Sequence, residues 1–191
     1  MLIGLAGHAG VGKDTIGQIL VTRLGFRRVA FADKVKQLAL MLDPGVTINK
    51  TTRPENFSLA TLFIESGFNW DEIKQHSEVR VVLQTLGQAS RDLLGDRVWI
   101  NAANLDSHLE QDIVVTDVRY ANEVQEIQNL GGEVWLVQRD GVSPVNQHPS
   151  ETSIAPSMAN RLITNKGSYS QLDLAVRKAL KAALEPTSYY W

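Results

Sequence analysis

Gly7-His8-Ala9-Gly10-Val11-Gly12-Lys13-Asp14-Thr15 is the stretch on which the reading of this chain turns. It follows an apolar run, Leu2 to Ala6, and leads into a segment whose apolar residues recur at helical spacing. Strand, glycine-rich turn, helix is the context that a phosphate-binding loop requires. A polyphosphate needs many N–H donors at short range, and side chains block that approach. Gly7, Gly10 and Gly12 remove the Cβ atoms, so the backbone can wrap an anion and adopt positive φ. The helix that follows adds the positive end of its dipole. Lys13 supplies a mobile cation for the β- and γ-phosphates of a nucleotide.

The spacing Gly7-x4-Gly12-Lys13 fits the usual pattern, with one departure. Asp14 stands where Ser or Thr normally binds Mg²⁺, and Thr15 comes one place later. This counts against an ordinary GTPase or motor ATPase. A Gly-x-x-Gly-x-Gly-Lys-x-Thr loop is instead similar to that of the small nucleoside monophosphate kinases.

The 191 residues suffice for one α/β domain with insertions. A net charge of −2 gives no overall pull toward nucleic acid or a membrane surface. There are no cysteines, which excludes disulfides and thiolate metal sites. The first apolar run is too short for a signal peptide, and no segment is long enough to span a bilayer. A cytoplasmic soluble protein is expected.

Outward from the loop, Lys13–Leu24 reads as a helix with Ile16, Ile19, Leu20 and Leu24 on one face and Gly25 as its stop. Phe26–Ala32 reads as a second strand. Asp33 is the expected N-cap of a helix that turns Val35, Leu38, Ala39 and Leu42 inward. Asp33 and Lys36 then lie at the carboxyl end of a strand, where open α/β sheets place ligands. A capping Asp and a solvated Lys is the plainer alternative. Residues 46–77 look irregular, with a turn at Thr51-Thr52-Arg53-Pro54 and short helices at Leu59–Ile64 and Asp71–His76. They read as an insertion too poor in apolar residues for a core of its own.

Glu78–Leu94 is a helix with Val79, Val82, Leu83, Leu86, Leu93 and Leu94 as its apolar face. Arg80, Gln84, Gln88 and Arg91 fall on the other side, within about 80° of one another at 100° per residue. Arg holds phosphate bidentately, and Gln presents a paired donor and acceptor to a base edge. An ordinary solvated face is the competing reading. Trp99–Leu109 is expected to be helical. Ile113-Val114-Val115-Thr116 then runs as a strand into Asp117-Val118-Arg119, and an acid at a strand end can hold Mg²⁺ or its water. Arg119 can face a transferring phosphoryl group or pair with Glu123 at i+4. A helix over Asn122–Leu130 and a strand Glu133–Gln138 closed by Arg139 follow. Asp140–Ser157 has the composition of a long loop, which in a compact chain is usually a lid or a disordered segment. Its candidates for ligand contact are His148-Pro149-Ser150-Glu151. Arg161–Thr164 gives a fifth strand, and Ser170 is the expected cap of a last helix with Leu172, Val176, Leu180 and Leu184 inward. Asn165-Lys166-Gly167-Ser168 lacks the Asp of a guanine-reading motif. His8, His76 and His108 have no metal-ligand spacing.

Taken together, the sequence resembles the deoxynucleoside monophosphate kinases of tailed bacteriophages. The resemblance rests on Gly7–Thr15, Phe31-Ala32-Asp33-Lys34-Val35-Lys36, Leu83-Gln84-Thr85-Leu86-Gly87-Gln88 with Arg91, and Gly95-Asp96-Arg97-Val98-Trp99. It rests also on Thr116-Asp117-Val118-Arg119-Tyr120 with Asn122-Glu123, on His148–Glu151 and on Asn165–Ser168. It implies an α/β P-loop kinase fold of three layers with a five-stranded parallel sheet, ATP as phosphoryl donor, Mg²⁺, and DNA-precursor synthesis in the host cytoplasm. It also implies one domain over 1–191, with core segments 1–45, 95–138 and 159–185, a helical acceptor-binding insertion at 46–94 and a lid at 139–158. Asn165 and Gly167 are implied to lie near adenine.

The site expected on these grounds is explicit. Gly10, Val11, Gly12, Lys13, Asp14 and Thr15, with Arg139, Asn165 and Gly167, bind ATP. Thr15 and Asp117 hold the metal. Asp33, Lys36, Arg80, Gln84, Gln88, Arg91, Arg119 and Glu151 bind the acceptor. Lys13, Asp14, Arg91, Asp117 and Arg119 serve catalysis. A kinase for dephospho-coenzyme A or phosphomevalonate would share the ATP site, and a nucleotide-dependent switch is the alternative from another class. An isologous homodimer is the expected assembly, with no nucleic-acid or membrane partner.

Overall fold

The protein is described by a computed structural model that covers residues 1–49, 54–142 and 154–185. The chain forms two compact units, one from Met1–Ala30 with the residues from Asn104 onward, the other Phe31–Ala103.

The first unit is built on strand β1 (Leu2–Ala6), the expected apolar run, buried along its whole length. Strands buried on both faces read as unbroken hydrophobic runs. β5 (Ile113–Val118) pairs with β1 on one side and carries β2 (Arg27–Val29) at its outer edge. β6 (Glu133–Arg139) pairs on the other side and carries β7 (Arg161–Asn165). All these pairings are parallel, in the order β2-β5-β1-β6-β7. Side chains alternate across the sheet. Ile3 and Leu5 join Ile16, Ile19 and Leu20 of helix α1 (Lys13–Leu24) and Leu172 and Val176 of the last helix, α8 (Tyr169–Leu184). On the opposite face α7 (Ala121–Asn129) packs so closely that a Cβ on Gly4 would stand 2.5 Å from Ile127 Cδ1. Helix, sheet, helix is the expected three-layer α/β fold.

The second unit begins with α2 (Phe31–Leu42) and a hairpin, β3 (Gly45–Asn49) against β4 (Pro54–Ser58). Helices α3 (Leu59–Glu65), α4 (Trp70–Ile73), α5 (Ser77–Leu94) and α6 (Val98–Ala103) follow. Val46, Ile48, Leu59, Leu62 and Ile73 share one core with Ala39 of α2 and Val79 of α5. Glu78 accepts the Thr47 N–H at 3.0 Å and Trp99 donates its indole N–H to the Gly87 carbonyl at 3.0 Å, which tie α5 to β3 and α6 to α5.

Several expectations need correction. β2 stops at Val29 and α2 already starts at Phe31, so Asp33 lies inside the first turn and is not the N-cap. Leu42 is exposed, as are Leu93 (84%) and Leu94 (68%), because the last turns of α2 and α5 run past the core they pack on. β3 and β4 replace irregular chain expected on either side of the turn at 51–54, of which 51–53 lie outside the described residues, and the short helices expected at Leu59–Ile64 and Asp71–His76 are α3 and α4. Asn104, in the left-handed region, ends α6 before a single 3₁₀ turn, so Trp99–Leu109 is not one helix. Ser168 caps α8 in place of Ser170, its hydroxyl accepting the Gln171 N–H at 3.3 Å. The tail from Pro186 lies outside the described residues. No helix of the described residues is long and apolar enough to cross a membrane.

Candidate active site

The site is assembled where the chain leaves the carboxyl ends of β1, β5, β6 and β7. β1 ends at Ala6, and Gly7 (φ 131°) carries the chain directly against β6. A Cβ there would stand 2.3 Å from the Val137 carbonyl oxygen. Gly10 and Gly12 also take positive φ, 79° and 108°. Between them the Val11 side chain is buried among the core residues and holds the loop down. Gly12 is the N-cap of α1, so Lys13 is its first residue. The Lys13 ammonium reaches back along the loop to the carbonyls of Gly7 and His8, at 2.6 and 2.7 Å. A cation is therefore already held over the loop. Asp14 is exposed in the first turn of α1, and Thr15 is half-buried.

At β5 the pairing with β1 slips. Gly4 faces Val115 and Ala6 faces Val118, so β5 spends one residue more than β1 over this interval. Irregularities of this kind re-aim side chains near sites, and this one falls on Thr116 and Asp117. Asp117 is half-buried. The turn after it is set by Glu123, 1% exposed, whose carboxylate accepts the backbone N–H groups of Arg119 (2.8 Å) and Tyr120 (3.2 Å). The Glu123 carboxylate thus reaches the Arg119 main chain four residues before it. The Arg119 side chain is exposed.

β6 ends at Arg139, also exposed, in a turn through Gly141 closed by the Val142 N–H on the Arg139 carbonyl at 3.2 Å. Its Nη2 is 4.0 Å from where a Cβ on Gly167 would stand. Asn165, the last residue of β7, is buried against the phosphate loop and donates to the Val11 carbonyl at 2.8 Å. A cavity of about 400 Å³ opens within this unit, lined by Gly7, His8, Val118, Arg119, Arg139 and Ile154 among others. Lys13, Arg119, Arg139 and Asn165, drawn from four separate stretches, thus share one end of one sheet.

Among the described residues of this site, Thr15 carries a hydroxyl in the first turn of α1 and Asp117 a carboxylate near the end of β5. No cluster of three or more His, Cys, Asp or Glu side chains assembles among the described residues. A hydroxyl and a carboxylate are hard oxygen donors, the type that Mg²⁺ takes.

In the second unit, Arg80, Gln84 and Gln88 are exposed on one face of α5 and Arg91 is half-buried. Arg80 donates to the Lys74 carbonyl at the end of α4 (2.7 Å), Gln88 to Asp92 (2.8 Å) and Arg91 to the Asp96 carbonyl (3.0 Å). Asp33 and Lys36 pair at 3.2 Å, with the Lys36 ammonium 5.8 Å from the Trp70 ring centre. His148 and Glu151 lie outside the described residues. His8, which has no metal-ligand spacing, lines the cavity and supplies a carbonyl to Lys13. Its place inside the glycine-rich loop was the available signal.

A family model described as deoxynucleotide monophosphate kinase matches residues 48–176. The chain belongs to the deoxynucleotide monophosphate kinase family. The match leaves out the phosphate loop, so loop geometry and family membership are separate findings. A putative deoxynucleotide monophosphate kinase of Acanthamoeba polyphaga mimivirus is 28% identical, over 81% of this chain and 82% of that protein. A deoxynucleoside-5′-monophosphate kinase of Escherichia phage T5 is 26% identical, over 97% and 98%. Among solved structures, a shikimate kinase from Aquifex aeolicus aligns over 95% of this chain and 97% of its own, at 11% identity and a TM-score of 0.46. As a member of this kinase family the protein is a phosphotransferase, with nucleotides as its small-molecule substrates and ATP as phosphoryl donor.

Proposed function

We propose that the protein moves the γ-phosphoryl group of ATP onto the phosphate of a deoxynucleoside 5′-monophosphate, giving the diphosphate and ADP. An acceptor phosphate oxygen bonds to the γ-phosphorus as the bond to the β–γ bridging oxygen breaks, and ADP leaves with the electron pair. One observation carries the reading: a phosphate loop with its lysine in place opens beside a cavity walled by Arg119 and Arg139, in a chain of this family.

Bringing two anions together requires fixed positive charge more than proton abstraction. In this reading the N–H groups of Gly10 to Thr15 grip the ATP phosphates. Lys13 exchanges its two carbonyl partners for β- and γ-phosphate oxygens. Asp14 orients Lys13 or a metal-bound water. Thr15 and Asp117 are the residues that would hold Mg²⁺, directly or through water, and the bound ion would neutralise charge between the phosphates. Arg119, and Arg139 beside Gly167, spread the charge of the transferring group, where one well-placed Arg can be worth on the order of 10³-fold.

Recognition of the acceptor falls to the insertion 46–94 and its neighbours: Asp33 and Lys36, the α5 face of Arg80, Gln84, Gln88 and Arg91, and Glu151. Segment 139–158 acts as the lid. The working form is an isologous homodimer in the cytoplasm, without nucleic acid; a net charge of −2 gives no overall attraction to nucleic acid, and light scattering checks the dimer. The test of function is a panel of ribo- and deoxyribonucleoside monophosphates with ATP and Mg²⁺ in a coupled ADP assay. ADP release that depends on a deoxynucleoside monophosphate is expected. ADP release indifferent to every monophosphate contradicts the proposal.

A further inference from the structure

Asn165 is a polar side chain at the end of an edge strand, yet it is only 6% exposed. Burying an amide is unfavourable unless both of its ends find partners. Here both do. The Nδ2 group donates to the Val11 carbonyl at 2.8 Å, and Oδ1 accepts the Gly167 N–H at 2.9 Å. The first bond spans 154 positions of sequence and lands in the middle of the phosphate loop.

The consequence follows from peptide geometry. In a trans peptide the C=O and the next residue's N–H point in opposite directions. Holding the Val11 carbonyl toward Asn165 turns the Gly12 N–H the other way. Gly12 is the N-cap of α1, at the end of the helix whose dipole favours an anion. The fit is reciprocal. Gly12 has φ 108°, and a Cβ on it would stand 2.5 Å from Asn165 Nδ2. Only glycine lets the asparagine come this close, and only a side chain with a donor on one branch and an acceptor on the other bridges the loop to the turn at Gly167.

We propose that Asn165 is a positioning residue of the phosphate loop. It presets the Val11–Gly12 peptide so that the Gly12 N–H faces the nucleotide phosphates, and it couples the loop to the β7–α8 turn, in place of touching the adenine itself. This rests on the reading of the loop as the ATP site, and it holds whatever the acceptor is.

The test uses the full chain with Asn165→Ala and Asn165→Asp. The first leaves the Val11 carbonyl without its donor and adds no charge. The second keeps the size and places an oxygen against that carbonyl. ADP binding is measured by titration without acceptor, alongside KM for ATP and for the acceptor and the thermal unfolding of the nucleotide-free protein. Loss of the bond to the Val11 carbonyl, and in Asn165→Ala of the bond from the Gly167 N–H as well, is expected to weaken ADP binding and raise KM for ATP on the order of tenfold in both variants. KM for the acceptor stays within about twofold, and the ADP-induced rise in Tm shrinks. ADP affinity within about twofold of wild type in either folded variant overturns the proposal, as does an equal rise in both KM values. Should both variants fail to fold, Asn165→Ser is read by the same criteria. A wild-type protein that binds no ADP defeats the reading of the ATP site itself, an outcome distinct from failure of the asparagine's role.

Discussion

Gly7→Ala is a severe test of how the loop is held. In the structure Gly7 has φ 131°, and the added Cβ would meet the Val137 carbonyl oxygen at 2.3 Å. That oxygen is backbone in a buried strand, so no rotamer change relieves the clash. Either the loop or β6 must move by roughly 1 Å to restore ordinary contact. A non-glycine residue in such backbone space costs about 1–3 kcal/mol, and overpacking against a buried strand adds about 1–3 kcal/mol. For a chain of this size about 1 kcal/mol corresponds to a Tm change of roughly 2–4 °C. Together these give about 2–6 kcal/mol, so Gly7→Ala is expected to lower Tm by about 4–24 °C and to weaken ATP binding, because the loop opens at its first residue. Gly10→Ala is the internal control. Gly10 also has positive φ, 79°, but its Cβ would meet nothing within 4 Å. Only the conformational penalty of about 1 kcal/mol applies there, a Tm change of roughly 2–4 °C. Circular dichroism melts of both variants, with and without ADP, give the comparison. A Gly7→Ala protein that melts within about 2 °C of wild type, or a Gly10→Ala protein that is the less stable of the two, refutes this account of the loop.

Three further variants probe the site and its support. Lys13→Ala is expected to keep a cooperative melt and to lower kcat by on the order of 10²-fold or more; turnover near wild type with acceptor present rejects its role. Arg119→Ala should lower kcat on the order of 10³-fold with the melt preserved, since Glu123 holds the main chain of that turn. Glu133→Gln addresses pH. Partial burial opposes ionisation of Glu133, but hydrogen bonds from Arg161 and Trp135 and the guanidinium charge outweigh it and hold the carboxyl below its ordinary range. A depressed carboxyl adds stability above its unfolded pKa, about 4.3, and loses it as pH falls through the lower folded value. Glu133→Gln should therefore melt lower than wild type at about pH 7, and the gap should close toward pH 3; a gap that widens with acid contradicts the assignment.

The core of the first unit was legible because its strands are buried on both faces and read as short apolar runs. Leu2–Ala6, Ile113–Thr116 and Val134–Val137 were each placed as strands, and Lys13, Asp117 and Arg139 follow from them by sequence. The hairpin was not legible. Val46 and Ile48 alternate properly, but Pro54-Glu55-Asn56-Phe57-Ser58 has weak strand propensity, and only pairing with Gly45–Asn49 makes it a strand. Helical periodicity marked the apolar stripe of α5 but not where its partners end, so Leu93 and Leu94 were placed inside. The polar face of α5 was located by the same periodicity. What Arg80 and Arg91 hold there, the carbonyls of Lys74 and Asp96, depends on chain turns that no spacing rule encodes. The clamp from Asn165 to Val11 joins positions too far apart in sequence for any local pattern to reveal.

The most direct measurement is the fate of the γ-phosphoryl group. ATP labelled at that phosphorus is incubated with the protein, Mg²⁺ and a deoxynucleoside monophosphate, and the products are separated. Label recovered in the deoxynucleoside diphosphate, and lost with Lys13→Ala, is the predicted result. Label that stays in ATP, or passes only to inorganic phosphate, with every deoxynucleoside monophosphate supplied, would contradict it.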